Sequence, residues 1–233
     1  AFRVVDGDLQ KQFAAHLAET LQRSTPAYPA YSLLTGFIGT AWISKALSDN
    51  GMSELAYRLL EQDCYPSWLY PVKNGATSIW ERLNSYTLQD GFGENNSMNS
   101  FNHYSFGAVA AWMYNYSLGI RRDEQHPGFK HFILQPEVDP TGKLTHAQGH
   151  YDSMYGRIES AWQRGKDGIS YQFTVPANTT ATLLLPASKK ANITEGGKAL
   201  QKCQGIKYVG TENGWHKMEL QSGSYHFNVA ARP

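Results

Sequence analysis

The sequence predicts an α + β protein in two parts, a packed array of helices followed by an antiparallel β-sandwich. Two observations lead to this prediction. Apolar residues recur at helical spacing in several segments up to about Ser117. After Arg121 the pattern changes to about eight short apolar segments separated by glycine-containing turns, which is typical of a sandwich. We therefore assign residues 1–122 to the helical part and residues 123–233 to the β-sandwich.

Three helices are predicted in the first sixty or so residues. The first covers residues 9–23, where leucine and phenylalanine repeat every four positions, with Asp8 as its N-cap. Residues 33–48 are apolar on most faces, so they predict a buried helix. Ser53 begins the third helix, which follows a short glycine-containing turn.

The next segment changes in character. Short β-prone pieces around a Lys-Asn-Gly turn predict a small hairpin within residues 66–84. A fourth helix is predicted to begin at Phe101 or Asn102 and to reach about Ser117, with Gly119 ending it. Its small apolar residues predict close packing against other helices.

The strands are predicted from alternation and from turn residues between them. They cover residues 129–134, 145–149, 156–162, 168–175, 180–185, 207–209, 216–220 and 225–229.

The composition limits the classes of function. A net charge of +1 without a basic run argues against nucleic acid as a partner. Apolar stretches are too short for a membrane span, which needs about eighteen residues. Cys64 and Cys203 are far apart and are expected to be free thiols. No metal and no cofactor are expected, because metal-ligand spacing is missing among the histidines of the β part, His126, His131, His146 and His150.

Ionisable, aromatic and amide side chains are densest between Asn74 and Tyr104. Carbohydrate sites combine these groups, because aromatic rings cover sugar faces, amides and imidazoles bind hydroxyls, and carboxylates transfer protons. Glu81 follows Trp80, and a carboxylate held among aromatic rings can act as an acid or base near neutral pH. The alternative is a surface ion pair between Glu81 and Arg82 or a lysine.

His103 lies near the predicted start of the fourth helix, where its imidazole would reach a sugar hydroxyl. The alternative is a helix-capping or buried histidine whose hydrogen bonds are satisfied. Asn102 and Asn99 leave the same choice between a sugar contact and an N-cap.

Trp68, Trp80 and Tyr104 are candidates for stacking on a sugar, although aromatic residues at such positions more often belong to a core. The other carboxylates of the stretch, Asp90 and Glu94, lie in a polar loop and are expected to be solvated.

Several motifs are long enough to be specific. They are Thr35-Gly36-Phe37, Tyr65-Pro66-Ser67-Trp68, Gly-Ala-Thr-Ser-Ile-Trp-Glu-Arg at 75–82, Met-Asn-Ser-Phe-Asn-His-Tyr at 98–104, Gly156-Arg157-Ile158, and Val-Pro-Ala-Asn-Thr-Thr-Ala at 175–181. In this order the motifs resemble the α-L-rhamnosidases of glycoside hydrolase family 78, and the similarity covers about residues 31–186.

The resemblance implies an (α/α)6 barrel followed by an antiparallel β-sandwich, with only the last barrel helices in this chain. It implies hydrolysis of terminal α-L-rhamnosyl groups with inversion at the anomeric carbon. Glu81 matches the general base, and His103 matches a residue that contacts rhamnose. We expect Trp80 and Asn102 beside them in the substrate site.

The partners implied are a rhamnose-containing glycoside or polysaccharide and the remainder of a longer parent chain, which would carry the general acid. The opening residues fit this, because they resemble neither a signal peptide nor an ordinary N-terminus. Alone, the chain is expected to be inactive. The resemblance suggests a bacterial origin and favours a periplasmic or secreted location, but it leaves the compartment, the linkage and the aglycone open.

Two other functions are compatible with the sequence. A phosphorylase on the same barrel would need a cluster of serine, lysine or arginine beside Glu81, and only Lys73 and Arg82 are near it in sequence. A carbohydrate-binding or structural module without catalysis of its own would use the aromatic residues of the sandwich, Tyr151, Tyr155, Trp162 and Trp215.

Overall fold

The computed structural model of the chain describes residues 6–93 and 97–231. These residues form two compact units. The helical unit comprises the described residues up to Trp112 together with Asp139–Lys143, and the β unit comprises Met113–Val138 and the described residues from Leu144 onward. The chain therefore leaves the helical unit at Trp112 and returns to it once, for the short segment Asp139–Lys143.

The α-helices of the described residues include two of the predicted ones. Their bounds are Gly7–Gln22 (α1), Phe37–Thr40 (α2), Ile43–Asp49 (α3), Ser53–Glu61 (α4), Leu69–Lys73 (α5) and Val109–Trp112 (α6). The predictions for α1 and α4 are confirmed. The predicted cap is wrong, because Asp8 lies inside the first turn of α1 and Asp6 occupies the N-cap position. No helix among the described residues is long and apolar enough to cross a membrane.

The prediction of one buried helix over residues 33–48 is wrong. The hydroxyl of Thr40 donates to the carbonyl oxygen of Gly36 at 3.0 Å, and the backbone N–H of Trp42 donates to Gly39 at 3.1 Å. Such short-range bonds compete with the regular helix pattern, so α2 ends after one turn and α3 begins separately. The segment is also not buried throughout, because Ile38 is 82% exposed.

The predicted hairpin in residues 66–84 is also wrong, because α5 occupies the first part of this segment. Pro71 lies in the first turn of α5, where a missing N–H leaves no helical bond unmade. The Asn74 side chain donates to the carbonyl oxygen of Tyr70 at 2.9 Å, and Gly75 follows with φ of 86°. The Lys-Asn-Gly sequence is therefore the end of a helix, where a glycine in this conformation is common.

The fourth helix starts later than predicted and is irregular. It begins as a 3-10 turn at Tyr104–Ala108, continues as α6, and ends as a π-helical turn at Met113–Ser117. Within the helical unit, Trp112 is buried and its indole N–H donates to the Ser48 hydroxyl at 2.9 Å.

All eight predicted strands are present, together with three short ones that were not predicted, β1, β7 and β8. The strands are Ile120–Arg122 (β1), His131–Leu134 (β2), His146–Ser153 (β3), Gly156–Arg164 (β4), Gly168–Val175 (β5), Thr180–Pro186 (β6), Ile193–Glu195 (β7), Lys198–Ala199 (β8), Ile206–Glu212 (β9), Trp215–Leu220 (β10) and Gly223–Ala230 (β11).

The strands form two sheets. One has five strands in the order β1-β2-β6-β10-β9, and the other has six in the order β3-β4-β5-β11-β7-β8. Every neighbouring pair is antiparallel except β2 and β6, which are parallel. Both sheets contribute buried side chains to one apolar core, including Phe132 and Leu183 from the first and Phe173 and Phe227 from the second. This arrangement is the predicted sandwich, with one parallel pair added.

Gly119 connects the π-helical turn to β1 and must be glycine. Its φ is 72°, and a Cβ atom there would lie 2.1 Å from the backbone nitrogen of Pro136. Both the backbone conformation and the close approach exclude a side chain.

Candidate active site

Two parts of the predicted stretch lie side by side in the helical unit. The backbone N–H of His103 donates to the carbonyl oxygen of Ile79 at 2.8 Å, and the N–H of Glu81 donates to Ser100 at 2.8 Å. These two bonds join segments about twenty residues apart in sequence. The structure therefore brings the segment with Glu81 and the segment with His103 together, as a substrate site would require.

The carboxylate of Glu81 is held at one oxygen only. The backbone N–H of Ser100 donates to Oε2 at 2.8 Å, and within the described ranges Oε1 accepts no hydrogen bond. The guanidinium of Arg82 donates to the carbonyl oxygen of Met98 at 2.8 Å instead of pairing with Glu81. The ion pair considered as an alternative is therefore absent from the part of the chain that the structure describes.

Glu81 lies on the wall of a concavity of about 390 Å³ in the helical unit. One part of the lining is formed by its own neighbours Arg82, Leu83 and Asn84. Another part is formed by residues at the start of α2 and just before it, including Thr35 and Phe37. A volume of this size suits a small ligand, and the mixture of apolar and polar groups is typical of ligand pockets.

The imidazole of His103 lies near two aromatic rings. Its centroid lies 4.7 Å from that of Phe37 and 6.0 Å from that of Tyr104, and both ring pairs are stacked. His103 occupies the N-cap position of the 3-10 turn, but its side chain makes no capping hydrogen bond. Its Nδ1 atom is buried and has no hydrogen-bond partner among the described residues. Buried polar atoms are normally paired, so an unpaired nitrogen here is unusual and marks His103 as a candidate functional residue.

Both candidate tryptophans are buried. Trp80 is 7% exposed and meets the rings of Tyr86 and Phe101 edge-on. Trp68 is 8% exposed, and its indole N–H donates to the carbonyl oxygen of Phe106 at 2.9 Å. The geometry favours the core alternative for both rings.

The asparagines and loop carboxylates take different positions. Asn102 is exposed, whereas the Asn99 side chain accepts a hydrogen bond from the Ser85 hydroxyl at 2.7 Å and so ties the loop to the Glu81 segment. Asp90 is exposed, as expected. Glu94 lies outside the described residues.

Phe37 and Ser100 belong to this site but were not predicted to. Phe37 supports the imidazole, and the backbone of Ser100 fixes the carboxylate. Both lie within the motifs that carry the family resemblance, so that resemblance was the available signal. Nothing in the chemistry of a phenylalanine or a serine distinguished them from their neighbours.

The cations near Glu81 in sequence are engaged elsewhere. Lys73 forms an ion pair with Asp63 and holds the pKa of that carboxyl below its usual value. Together with the Arg82 contact to Met98, this gives no support to a phosphate site beside Glu81. Within the described residues, no group of three or more His, Cys, Asp or Glu is arranged to hold a metal ion.

Three of the four aromatic residues considered for a carbohydrate-binding module are buried or packed against neighbouring side chains. Trp162 is 1% exposed, and its indole N–H donates to the carbonyl oxygen of Ser117 at 2.9 Å, so Trp162 gives no support to the alternative of a carbohydrate-binding module. The ring of Tyr151 packs against Phe129 with centroids 4.7 Å apart. The ring of Tyr155 is covered by the ammonium of Lys130 at 5.0 Å.

Sequence comparisons identify relatives over most of the chain. A protein 38% identical over 202 residues is the alpha-L-rhamnosidase of Alteromonas sp. (strain LOR), of which the match covers 21%, against 86% of this chain. The alpha-L-rhamnosidase of Streptomyces avermitilis is 36% identical over 199 residues, which cover 85% of this chain and 18% of that protein. The chain thus spans about a fifth of the length of the curated relatives it matches.

Solved structures agree with the sequence matches. The Streptomyces avermitilis alpha-L-rhamnosidase, complexed with L-rhamnose, superposes with a TM-score of 0.78 at 32% identity, covering 94% of this chain and 19% of that one. The Aspergillus terreus alpha-L-rhamnosidase superposes with a TM-score of 0.71 at 26% identity, covering 95% of this chain and 21% of that one.

Family models give the assignment. The model of the bacterial alpha-L-rhamnosidase 6 hairpin glycosidase domain matches residues 1–117, and that of the bacterial alpha-L-rhamnosidase C-terminal domain matches residues 119–200. The predicted fold class, helices of a barrel-type glycosidase domain followed by a β-sandwich, is confirmed. Because the two models together match almost all of residues 1–200, the chain belongs to the bacterial α-L-rhamnosidase family.

Proposed function

We propose that this chain is part of a longer α-L-rhamnosidase and supplies the general-base side of its active site. The substrate would be a glycoside or polysaccharide with terminal α-L-rhamnosyl groups. The family assignment supports the substrate class, and the length of the relatives supports a longer protein. Glycoside hydrolysis normally uses two carboxyl groups, so the general acid would lie outside this chain.

The observation that carries the proposal is the fixed carboxylate of Glu81 on the wall of a ligand-sized concavity. With Oε2 held by the Ser100 N–H, Oε1 can accept a proton from a water molecule. That water attacks the anomeric carbon on the face opposite the leaving oxygen, while the acid protonates the leaving oxygen. The configuration at the anomeric carbon is inverted as a result.

His103 is proposed to bind a rhamnose hydroxyl through Nδ1. Its buried, unpaired nitrogen and the stacked Phe37 ring support this role, because the ring cannot easily turn away. Asn102 is proposed to add an exposed amide to the same site. Trp80 is buried, so we propose that it fixes the segment carrying Glu81 by packing rather than by stacking on the sugar.

The exposed apolar side chains of the helical unit support a longer protein. Ile38 is 82% exposed, Phe13 is 68% exposed and Leu34 is 61% exposed. When several large apolar side chains are exposed on one domain, they usually mark a surface that another part of the protein covers. We propose that the remainder of the barrel covers this surface.

The test is hydrolysis of an aryl α-L-rhamnoside by the whole protein that contains this chain. Glu81→Gln keeps the shape of the side chain but cannot accept the proton, so kcat should fall by at least about a hundredfold. Asp90→Asn is the matched control, since it removes one exposed carboxylate from the same stretch, and it should leave kcat unchanged.

The anomer formed first, observed by proton NMR, checks the mechanism. Release of β-L-rhamnose from the α-glycoside is expected. Retention of configuration, or full activity of the Glu81→Gln protein, would remove Glu81 from the role of base. An inactive parent protein would contradict the substrate class.

A further inference from the structure

The outer face of the six-stranded sheet is a second candidate site, and it lies entirely in the β unit. Strand register aligns its side chains in rows across the sheet. Gln148 of β3, Ala161 of β4, Gln172 of β5 and His226 of β11 form one such row. The intervening residues, such as Tyr171 and Phe173, are buried in the core, so the row faces outward.

This face is unusual in its chemistry. Its outward side chains are mostly neutral hydrogen-bonding groups, among them Gln148, His150, Gln163, Gln172, His226 and Asn228. The charged exceptions are Glu159, to which the hydroxyl of Thr174 donates at 2.6 Å, and the ion pair between Asp152 and Arg157. On the five-stranded sheet, the outward residues include Lys207, Lys217 and Glu219.

The face is also concave. Three concavities of about 610, 220 and 490 Å³ lie on it. The first two share Gln148, Ala161 and Gln172, and the last two share Gln163 and Ser170, so they adjoin one another. Together they follow β5 for about 20 Å, at about 3.3 Å per residue. Ala161 leaves room between the two glutamines of its row, which makes this groove long enough for several sugar units.

We propose that this groove binds an uncharged oligosaccharide chain. Sugar hydroxyls both donate and accept hydrogen bonds, and amide and imidazole side chains can do the same. The side chains of Gln148, Gln172 and His226 make no hydrogen bond to other residues in the described part of the chain, so they are available to a ligand. The few cations beside the groove, such as Arg164 and Lys166, are accompanied by carboxylates such as Glu159 and Asp167. The face therefore lacks the excess of lysine and arginine that an acidic polymer would need.

The proposal goes beyond the active site, because it uses no residue of the helical unit. It also differs from a sandwich that binds through its aromatic residues, because Trp162 is buried and the groove is lined by amides. Without an aromatic platform the affinity should be modest, since stacking usually supplies much of the energy of sugar binding.

Affinity gel electrophoresis of the whole protein tests the groove. The probes are three neutral polysaccharides, a rhamnan, a galactomannan and laminarin, with polygalacturonate as the acidic comparison. We expect retardation by at least one neutral probe that persists when salt is added. The double variant Gln148→Ala, Gln172→Ala should bind that polysaccharide about tenfold or more weakly, because two hydrogen bonds are lost.

A second variant and a control complete the experiment. Ala161→Leu fills the floor of the groove without touching the core and should weaken retardation to a similar extent. Lys207→Ala changes the outer face of the other sheet and should have no effect. Retardation by none of the neutral probes, equal retardation of all variants, or salt-sensitive retardation by polygalacturonate alone would each overturn the proposal.

The outcome is separable from that of the catalytic proposal. The groove variants should hydrolyse the aryl rhamnoside at the rate of the unmodified protein. Glu81→Gln should keep its retardation by the neutral probe. A failure of one proposal therefore leaves the other intact.

Discussion

The helical unit and the β unit differ in how they bury apolar side chains. In the β unit, Phe132, Phe173 and Phe227 are at most 2% exposed, and they pack in a core closed by two sheets. In the helical unit, Phe13 and Ile38 are mostly exposed although both lie in helices. The same kind of apolar pattern thus produces a finished core in one unit and an uncovered surface in the other.

The largest expected effect tests this comparison directly. Phe227→Ala removes a fully buried ring and should lower the free energy of unfolding by about 3–5 kcal/mol. Ile38→Ala, at an 82% exposed position, should change it by less than about 0.5 kcal/mol in this chain. Urea denaturation of each variant gives both values.

The Ile38→Ala substitution can also be measured in the whole protein. If the remainder of the barrel covers Ile38, the alanine change should become clearly destabilising there, by about 2 kcal/mol or more. A large cost of Ile38→Ala in this chain alone would mean that the helical unit is already closed.

A smaller effect on stability is expected at Gly119, in the connection that leads into β1. Gly119→Ala should lower the free energy of unfolding by about 2–4 kcal/mol, because the new Cβ atom would collide with Pro136 and the backbone conformation would be strained. Gly214→Ala is the matched control, since its φ is 81° and its Cβ would meet nothing within 4 Å. It should cost about 1 kcal/mol. Thermal unfolding of both variants gives the two values. Equal losses of stability would show that the backbone around Pro136 adjusts to the added Cβ atom at no further loss of stability.

The smallest effect concerns pH and the helical unit. Burial raises the pKa of Glu61, its contact with Asp139 raises it further, and the hydrogen bond from Thr141 lowers it. The folded state therefore holds this proton at pH values where the unfolded state has lost it. Stability should fall as pH rises from the usual carboxyl range through the raised pKa, and then level off.

Glu61→Gln should remove that slope. The free energy of unfolding should change by less than about 0.5 kcal/mol across this pH range, because the hydrogen bond from Thr141 opposes the effect of burial on the pKa. Glu19→Gln, at a 79% exposed side chain of α1, is the control and should leave the slope in place. Urea midpoints measured as a function of pH give the comparison, and a slope of the opposite sign attributable to Glu61 would contradict it.

The β unit was the easier part to predict from sequence. Its strands alternate apolar and polar residues, and its turns contain glycine, so each strand is specified locally. The strands that were missed, β1, β7 and β8, have two or three residues each, which is too short to show alternation. The parallel pairing of β2 with β6 depends on contacts between distant segments and has no local signal.

The helical unit was harder because its errors came from local competition. A three-residue bond from Trp42 to Gly39 replaces the regular helix pattern after α2, and Asn74 with Gly75 ended a helix where a hairpin turn was expected. For the site, the motifs pointed to Glu81 and His103. The bond from Ser100, the ring of Phe37 and the unpaired Nδ1 became visible only once segments distant in sequence were in contact.

The return of the chain to the helical unit at Asp139–Lys143 matters for anyone who wants to express the two parts separately. The hydroxyl of Thr141 lies 2.9 Å from both carboxylate oxygens of Glu61, whose side chain is only 7% exposed. A gene truncated after residue 122 would keep Glu61 and discard Thr141 and Asp139. The helical unit is discontinuous in sequence, so a linear cut leaves a buried acid without its hydrogen-bond donor.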